Sequence, residues 1–484
     1  EEYVNQEVSA GNFTDPLMAA IAGHWKRLLG AEPTQETDDF LAMGGHSLLA
    51  ARLSVALSGE TGRYIRPVEL LGQSSLADHC RLLKTGTEAT PTNEVRPFEY
   101  SGGTGIPFSS AQKRMWYILL SGNSEGIFNE SEAYRVEGKL DLVQLKLAIQ
   151  KVIDKHVAFR MVVESERDLT WKVLEHVDAP LRQVPVSDDK ETSWNRLPAV
   201  LHEEASRNFR FSSEPLIRFV VYTDGIGRHV IQFIAHHLII DGFSETLLWK
   251  ELADFYQEDP AGNELKQDTA YLSCLNSPPL KDQAGLEFWV DHLLAPTQVQ
   301  PFDIRTDFPR PAKIDYSGKA AFLDLSNKTA NSVRDLAKRL HSTPFMVFLA
   351  LYLVWLNRHS TQEEYVIGTP VSVREPQWPQ DMVGLLMNTI PLRLKSQEAL
   401  PFSELVSVVS GLARDAMRHD HIQFDEIVKR ANPERDPSRT PIYQVIFAFN
   451  EYSQRPAELS PGTKWTPEPV DVGFSPVDLA FYAD

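Results

Sequence analysis

The feature that most constrains the fold of this chain is the stretch 86–107, where Gly, Thr and Pro recur and no apolar period is visible. Segments of this composition do not pack into a core, and they usually join units that fold separately. We therefore expect a small folded unit over residues 1–85, a linker over 86–107, and a large folded unit from residue 108 onward.

Composition excludes several classes of protein. The 484 residues carry a formal net charge of −18, which argues against a nucleic-acid partner because phosphate binding needs a basic face. The chain has two cysteines, Cys80 and Cys274, which are far apart in the sequence. We therefore expect neither a disulfide framework nor a cysteine metal site. The apolar run 345–356 spans about 18 Å as a helix, too short for a bilayer core. We expect a soluble, cytoplasmic, monomeric module that binds no metal and no membrane.

The small unit is predicted to be a bundle of four short helices. The first helix begins at Asp15-Pro16, an N-cap residue followed by proline. It ends at Gly30, since glycine is typical of a helix C-terminus. The second begins at Ser47, has apolar residues on one face, and is expected to end at Gly59. Two further helices are predicted over residues 67–71 and 75–83.

The large unit mixes helices and strands, which indicates an α/β body with two lobes. A helix is predicted over residues 244–256, with Ser244 as its N-cap. Other helices are expected over residues 140–156 and 344–356, and strands over 218–223, 229–240, 365–368 and 443–450.

Ser47 lies where a loop enters a helix, directly after Gly44-Gly45-His46. The unpaired N–H groups and the dipole of a helix N-terminus favour a phosphodiester on such a hydroxyl. The simplest alternative is a plain N-cap. A nucleophile elbow is disfavoured, because the second glycine of G-x-S-x-G is missing and no strand precedes the serine.

A second group of polar residues, His236, His237, Asp241 and Gly242, follows an apolar strand. Adjacent strand residues point to opposite faces, so the two histidines are not expected to share a metal ion. A single histidine in such a strand is often only a core residue. Gly242 suits tight backbone geometry or the close approach of a substrate.

The string of residues 39–48, DFLAMGGHSL, resembles the core motif of peptidyl carrier domains, D-x-F-F-x-x-G-G-H-S-L. The resemblance covers the whole small helical unit. It implies a four-helix carrier bundle in which Ser47 carries 4′-phosphopantetheine, whose thiol holds an acyl or peptidyl chain as a thioester.

The string of residues 236–242, HHLIIDG, resembles the H-H-x-x-x-D-G motif of condensation domains, which belong with the chloramphenicol acetyltransferase-like acyltransferases. Further segments resemble other motifs of that family in the same order: 109–116, 155–160, 367–371, 383–389, 437–445 and 475–479. The resemblance implies two lobes, expected over residues 108–275 and 276–484. Condensation domains usually continue well beyond the last motif, so the second lobe is expected to be incomplete at its end.

The resemblance also implies roles for individual residues. His237 is expected at the reaction centre, where it acts as a base or orients the attacking amine, and His236, Asp241 and Gly242 complete the catalytic motif. Asp241 is expected to hold the loop by pairing with an arginine of the second lobe, for which Arg374 is the candidate. The residues expected in the tunnel or its wall are Arg160, Gly242 and Asn388.

Together these resemblances predict a carrier–condensation pair of a nonribosomal peptide synthetase, in which Ser47 presents the donor chain. The implied partners are an upstream adenylation domain, a downstream acceptor carrier and a phosphopantetheinyl transferase.

Three alternative functions stay open. A carrier–epimerization pair shares the histidine motif, although Gly242-Phe243-Ser244 departs from its usual V-S-W. A non-catalytic recruitment module and a simple binding module are the others.

Overall fold

The computed structural model describes residues 13–45, 47–63, 65–85, 103–120, 126–186, 194–224, 228–258, 265, 267–277, 281–295, 300–302, 304, 306–374, 378–379, 381–397, 399–450, 459 and 462–483. For Ser47 and Leu48 it describes the backbone only. Residues 86–102, most of the predicted linker, lie outside the described part.

The first unit consists of α1 (Pro16–Leu29), α2 (Ser47–Thr61), α3 (Pro67–Gly72) and α4 (Leu76–Thr85). Asp15 caps α1 by accepting a hydrogen bond from the backbone N–H of Leu17 at 3.0 Å, and Gly30 ends it in the left-handed region (φ 71°). Helix α2 passes through Gly59 to Thr61, so the predicted end was wrong. An isolated glycine weakens a helix by only about 1 kcal/mol and need not break it.

A first lobe is built on a five-stranded sheet in the order β11-β2-β7-β6-β5 and a three-stranded sheet in the order β1-β4-β3. Its elements are β1 (Ile106–Pro107), α5 (Ser110–Leu120), β2 (Asn129–Glu137), α6 (Leu142–Lys155), β3 (Met161–Ser165), β4 (Thr170–Val173), β5 (Leu181–Pro185), α7 (Leu197–Ser206), β6 (Ile217–Thr223), β7 (His229–His236), α8 (Gly242–Gln257) and α9 (Ala270–Asn276). Short 3-10 turns lie at Val157–Arg160 and Trp194–Arg196.

A second lobe is built on a four-stranded sheet in the order β12-β10-β8-β9, in which β10 runs parallel to both β8 and β12. The remaining elements of the chain are α10 (Gln283–Leu294), α11 (Asn327–Arg339), α12 (Pro344–His359), β8 (Glu364–Ser372), β9 (Met387–Lys395), α13 (Phe402–Met417), α14 (Phe424–Ala431), β10 (Val445–Phe449), β11 (Lys464–Glu468) and β12 (Leu479–Ala483).

The predicted division of the large unit at residues 275 and 276 describes only part of the observed arrangement. The first core includes residues up to Leu275, and the second begins at Trp289. However, the segment 382–386 and strand β11 return from the second half of the sequence to the first lobe. These two short crossings carry no periodic signal of their own, which explains why the sequence did not predict them.

The predicted linker also extends too far toward the C-terminus. The carbonyl of Gly103 accepts a hydrogen bond from the backbone N–H of Val173 at 2.7 Å, and Ile106 pairs with Trp171. Ile106 is almost fully buried (1% exposed). Residues 103–107 therefore belong to the first lobe.

The first unit contacts the second lobe through polar groups. The guanidinium of Arg66, at the start of α3, pairs with the carboxylate of Asp420 and donates to the backbone carbonyl of Arg418. Nδ1 of His341 lies 3.4 Å from a carboxylate oxygen of Asp39. These contacts place the loop that precedes Ser47 against the end of α11, and the start of α3 against the end of α13.

Among the residues that the structure describes, no single helix is long and apolar enough to cross a membrane. Helices α11 and α12, bent by 103° relative to each other, pass that test of length and composition only as a pair.

Candidate active site

The histidine motif begins where β7 leaves the five-stranded sheet. The backbone N–H of His237 donates to the carbonyl of Phe128 at 2.7 Å, and Asn129 pairs with His236 in the β2–β7 ladder. Beneath the turn, Nε2 of Gln112 donates to the carbonyl of Leu238 at 2.7 Å. The backbone of the motif is therefore fixed from two sides.

The imidazole of His237 is held in one orientation. Its Nδ1 lies 2.6 Å from the carbonyl oxygen of Ile240. Because a carbonyl can only accept, Nδ1 carries the hydrogen, and Nε2 of the neutral ring is a hydrogen-bond acceptor. The side chain is 16% exposed and lines a large cavity. This geometry suits a group that receives a hydrogen bond or a proton from a substrate.

His236 points the other way, into the core of the first lobe. It is 2% exposed, and the Phe211 ring meets it edge-on at 4.9 Å. Its Nδ1 accepts a hydrogen bond from the backbone N–H of Leu238 at 3.2 Å. Burial, and then the neighbouring His237, lower the pKa of His236 to about 3, so it is neutral at pH 7. The structure therefore does not bring His236 to the cavity with His237.

Asp241 connects the two lobes. Its carboxylate accepts hydrogen bonds from the Arg374 guanidinium at 2.7 and 3.2 Å and from the backbone N–H of Leu386 at 2.9 Å. Burial alone would raise the pKa of Asp241, but the charge and hydrogen bonds of Arg374, with the backbone N–H groups of Ser244 and Leu386, outweigh it and hold the pKa below its usual value. The predicted Asp241–Arg374 pair is present.

The helix after the motif is capped by Asp241 rather than by Ser244. Helix α8 begins at Gly242, and Oδ1 of Asp241 accepts from the backbone N–H of Ser244 at 2.9 Å. The predicted N-cap was wrong because the carboxylate three residues earlier takes that role. The Ser244 hydroxyl instead donates to the carbonyl of Gly384 at 3.0 Å and accepts from Arg374 at 2.7 Å.

Gly384 lies at this junction against the ring of Tyr271. A Cβ added there would lie 2.3 Å from the ring. The Tyr271 hydroxyl accepts a hydrogen bond from the backbone N–H of Leu385 at 3.1 Å, and the side chain is fully buried. The ring therefore has no room to withdraw, and only glycine fits at this position.

Replacing Gly384 with alanine is expected to lower the free energy of unfolding by about 1–3 kcal/mol through overpacking. The midpoint of urea unfolding measures this loss. Gly411, inside α13, is the matched control because a Cβ there meets no atom within 4 Å. Gly411→Ala should stabilise the chain by up to ~1 kcal/mol through helix propensity. Equal midpoints for the two variants would contradict the proposed packing.

The cavity beside His237 has a volume of about 2570 Å³. Its lining includes His237 and Gly242 of the first lobe, Thr389 of the second, and Gly44 and Gly45 of the first unit. Ordinary small-molecule sites occupy roughly 300–1,000 Å³. This cavity is thus large enough for long substituents, and it extends from the loop before Ser47 to His237.

Two predicted wall residues lie behind the cavity rather than in it. Arg160 is 3% exposed, and its Nη1 donates to the carbonyl of Leu174 at 3.0 Å. Asn388 is 1% exposed, and its Nδ2 donates to the carbonyls of Asp420 and Ile422 at 2.8 and 2.7 Å. Neither is among the described residues that line the cavity. Backbone carbonyls inside the protein accept hydrogen bonds from both side chains, so the structure does not place either residue in the wall of this cavity, where both were expected.

Ser47 is the first residue of α2, as the sequence predicted. Its side chain lies outside the described part of the structure. The loop before it is compact, since a Cβ at Gly45 would lie 2.2 Å from the Phe40 ring. Glycine at position 45 therefore leaves room for the Phe40 ring two residues before α2 begins.

The fold and site define a class of protein: a helical carrier unit followed by a two-lobed acyltransferase of the chloramphenicol acetyltransferase type. Comparison with known families agrees. Residues 19–83 match the family described as phosphopantetheine attachment site, and residues 104–480 match the condensation domain family. The chain belongs to the condensation domain family, and it is a carrier–condensation pair of the kind found in nonribosomal peptide synthetases.

Among curated proteins, the chain is similar to tyrocidine synthase 2 of Brevibacillus parabrevis, with 28% identity over 89% of this chain and 12% of that protein. It is also similar to gramicidin S synthase 2 of Brevibacillus brevis, with 28% identity over 90% of this chain and 10% of that protein. The chain thus spans about a tenth of the length of these relatives.

Solved structures share the fold. The X-domain from teicoplanin biosynthesis has a TM-score of 0.64 and 22% identity, over 78% of this chain and 85% of that one. The first condensation domain of the CDA synthetase has a TM-score of 0.61 and 18% identity, over 78% of this chain and 89% of that one.

Proposed function

We propose that this chain holds a donor acyl or peptidyl group as a thioester on phosphopantetheine attached to Ser47. Its condensation domain then forms an amide bond when an amine delivered by a downstream carrier attacks that thioester. The observation that carries the proposal is the cavity that reaches from Gly44 and Gly45 to His237, where an acceptor nitrogen, Nε2, is available.

The reaction needs modest chemical assistance, because a thioester is already activated. Holding both reactants in place can supply roughly 7–11 kcal/mol. An α-amine has a reference pKa near 8, so about a tenth is neutral at pH 7. His237 would accept a hydrogen bond from the attacking nitrogen and take its proton as the bond forms. Asp241 and Arg374 would act indirectly, by holding the turn that carries His237.

The residues around Ser47 fit a phosphodiester. Helix α2 has fifteen residues, and its unpaired backbone N–H groups and positive dipole end suit an anion at its first residue. Gly44 has a φ of +102°, a conformation that glycine adopts readily, and it allows the tight loop that precedes the serine. When bound, phosphopantetheine supplies the thiol that carries the donor group.

We infer three partners for the complete reaction. An upstream adenylation domain would supply the activated donor, a phosphopantetheinyl transferase would modify Ser47, and a downstream carrier would present the amine. We expect the chain to act as a monomeric module.

Treatment with a phosphopantetheinyl transferase and coenzyme A is expected to add one phosphopantetheine to the chain. Ser47→Ala should abolish the addition, since the attachment hydroxyl is lost, while Ser58→Ala in the same helix should leave it unchanged. Intact-protein mass spectrometry measures the shift. An unmodified wild-type chain would overturn the carrier role and favour a simple binding module.

A further inference from the structure

Glu130 places a carboxylate next to the nitrogen of His237 that remains available. Its Oε1 lies 3.8 Å from Nε2 of His237, and both side chains line the same cavity. The Glu130 side chain is 42% exposed. It is therefore accessible to a molecule that enters the cavity.

The strand register accounts for this proximity. Glu130 on β2 pairs with Ala235 on β7, two residues before His237. Directly paired residues share one face of a sheet, and so do residues two apart on one strand. Because His237 directly follows β7, Glu130 is thus its diagonal neighbour, with Ala235 between them.

The other carboxylates near this wall are positioned differently. Glu132, two residues along β2, accepts a hydrogen bond from Nε1 of Trp249 at 2.6 Å. Glu245, in the first turn of α8, is only 5% exposed. The cations of α5, Lys113 and Arg114, also line the cavity, and Arg114 packs over the Phe424 ring. The Glu130 carboxylate is thus the one for which the structure gives a short distance, 3.8 Å, to Nε2 of His237.

We propose that Glu130 and His237 together bind and orient the attacking nitrogen. The inference rests on the proposed amide-forming function. A nitrogen placed about 2.9 Å from both Oε1 and Nε2 can donate one hydrogen to each. Its lone pair then points away from both acceptors and is free to attack the thioester. The carboxylate also attracts the amine in its ammonium form, which predominates at neutral pH and gives one proton to water before the neutral amine attacks.

The protons and electrons balance in this arrangement. The nitrogen lone pair forms the bond to the thioester carbon, and the carbonyl π electrons move to oxygen. Nε2 of His237 takes one proton from the nitrogen. The electron pair on oxygen then re-forms the C=O bond, the C–S bond breaks, and the imidazolium gives its proton to the leaving thiolate. Glu130 stays ionised throughout, and its negative charge stabilises the transient imidazolium.

Glu130→Gln tests the proposal. A hydrogen bond to a charged group is lost and a similar shape is kept, so amide formation should slow by about 10- to 100-fold with little change in thermal stability. Glu137→Gln, at the exposed end of the same strand, is the matched control and should keep the wild-type rate. In a His237→Ala background, Glu130→Gln should add almost no further loss, because both residues hold the same nitrogen.

The measurement is single-turnover amide formation. Ser47 is loaded from a panel of aminoacyl-coenzyme A donors, and the acceptors are aminoacyl N-acetylcysteamine thioesters. The donor–acceptor pair that wild type uses best serves for all variants. A wild-type rate in Glu130→Gln, or fully additive losses in the double variant, would overturn the role of Glu130 and leave the proposed function standing. Absence of amide from wild type with every pair would overturn both.

Discussion

Replacing His237 with alanine is expected to lower the rate of amide formation by about 10²- to 10⁴-fold, the range typical of a lost acid–base group. The imidazole is fixed by the Ile240 carbonyl, so its Nε2 is positioned before substrate arrives. Alanine removes the only ring nitrogen of this turn that lines the described cavity, because His236 is buried in the core.

This prediction is checked with both reactants preloaded, so that binding and loading do not limit the rate. His176→Ala is a suitable control, since this histidine is 65% exposed and pairs with a neighbouring surface aspartate, Asp178. It should leave the rate unchanged. If His237→Ala formed product as fast as His176→Ala, the proposed role of His237 would be wrong.

Replacing Arg374 with alanine is expected to be the most damaging change to stability, at about 3–5 kcal/mol. The Arg374 and Asp241 side chains are 4% and 5% exposed, so removing the guanidinium leaves a buried carboxylate without its counter-charge. The same change removes one hydrogen bond to the Ser244 hydroxyl and weakens the contact between the lobes. Amide formation should fall as well, because the turn that carries His237 loses its support.

Arg210→Ala provides the comparison for Arg374→Ala. Arg210 is 81% exposed and pairs with Glu214, four residues further along the chain, so its loss should cost under ~1 kcal/mol. Urea unfolding of both variants measures the difference. Similar midpoints for the two arginine variants would show that the Asp241–Arg374 pair does not stabilise the fold.

Local chemistry explains which elements could be predicted from the sequence. Helix α1 was predictable because Asp15, Pro16 and Gly30 each dictate a backbone conformation at its ends. The opposite faces of His236 and His237 followed from strand alternation. Asp241 and Arg374 could be matched because the resemblance to condensation domains implied a pair between the aspartate of the motif and an arginine of the second lobe.

Other features depend on contacts between distant segments. Gly384 contacts Tyr271 because the segment 382–386 returns to the first lobe, and no local sequence pattern predicts that return. Asn388 was expected in the tunnel wall, yet its acceptors are carbonyls of the α13–α14 connection. Glu130 was not singled out, because its place beside His237 depends on the register of β2 against β7.

The most direct test of the proposed function follows the mass of the loaded chain. The donor is placed on Ser47 as a thioester, an aminoacyl thioester acceptor is added, and both are followed by mass spectrometry. Amide formation predicts that Ser47 loses the donor while the acceptor gains it as an amide, with the donor stereocentre unchanged. A donor that stays on Ser47 with its stereocentre inverted, or a thioester that is neither transferred nor altered, would contradict it.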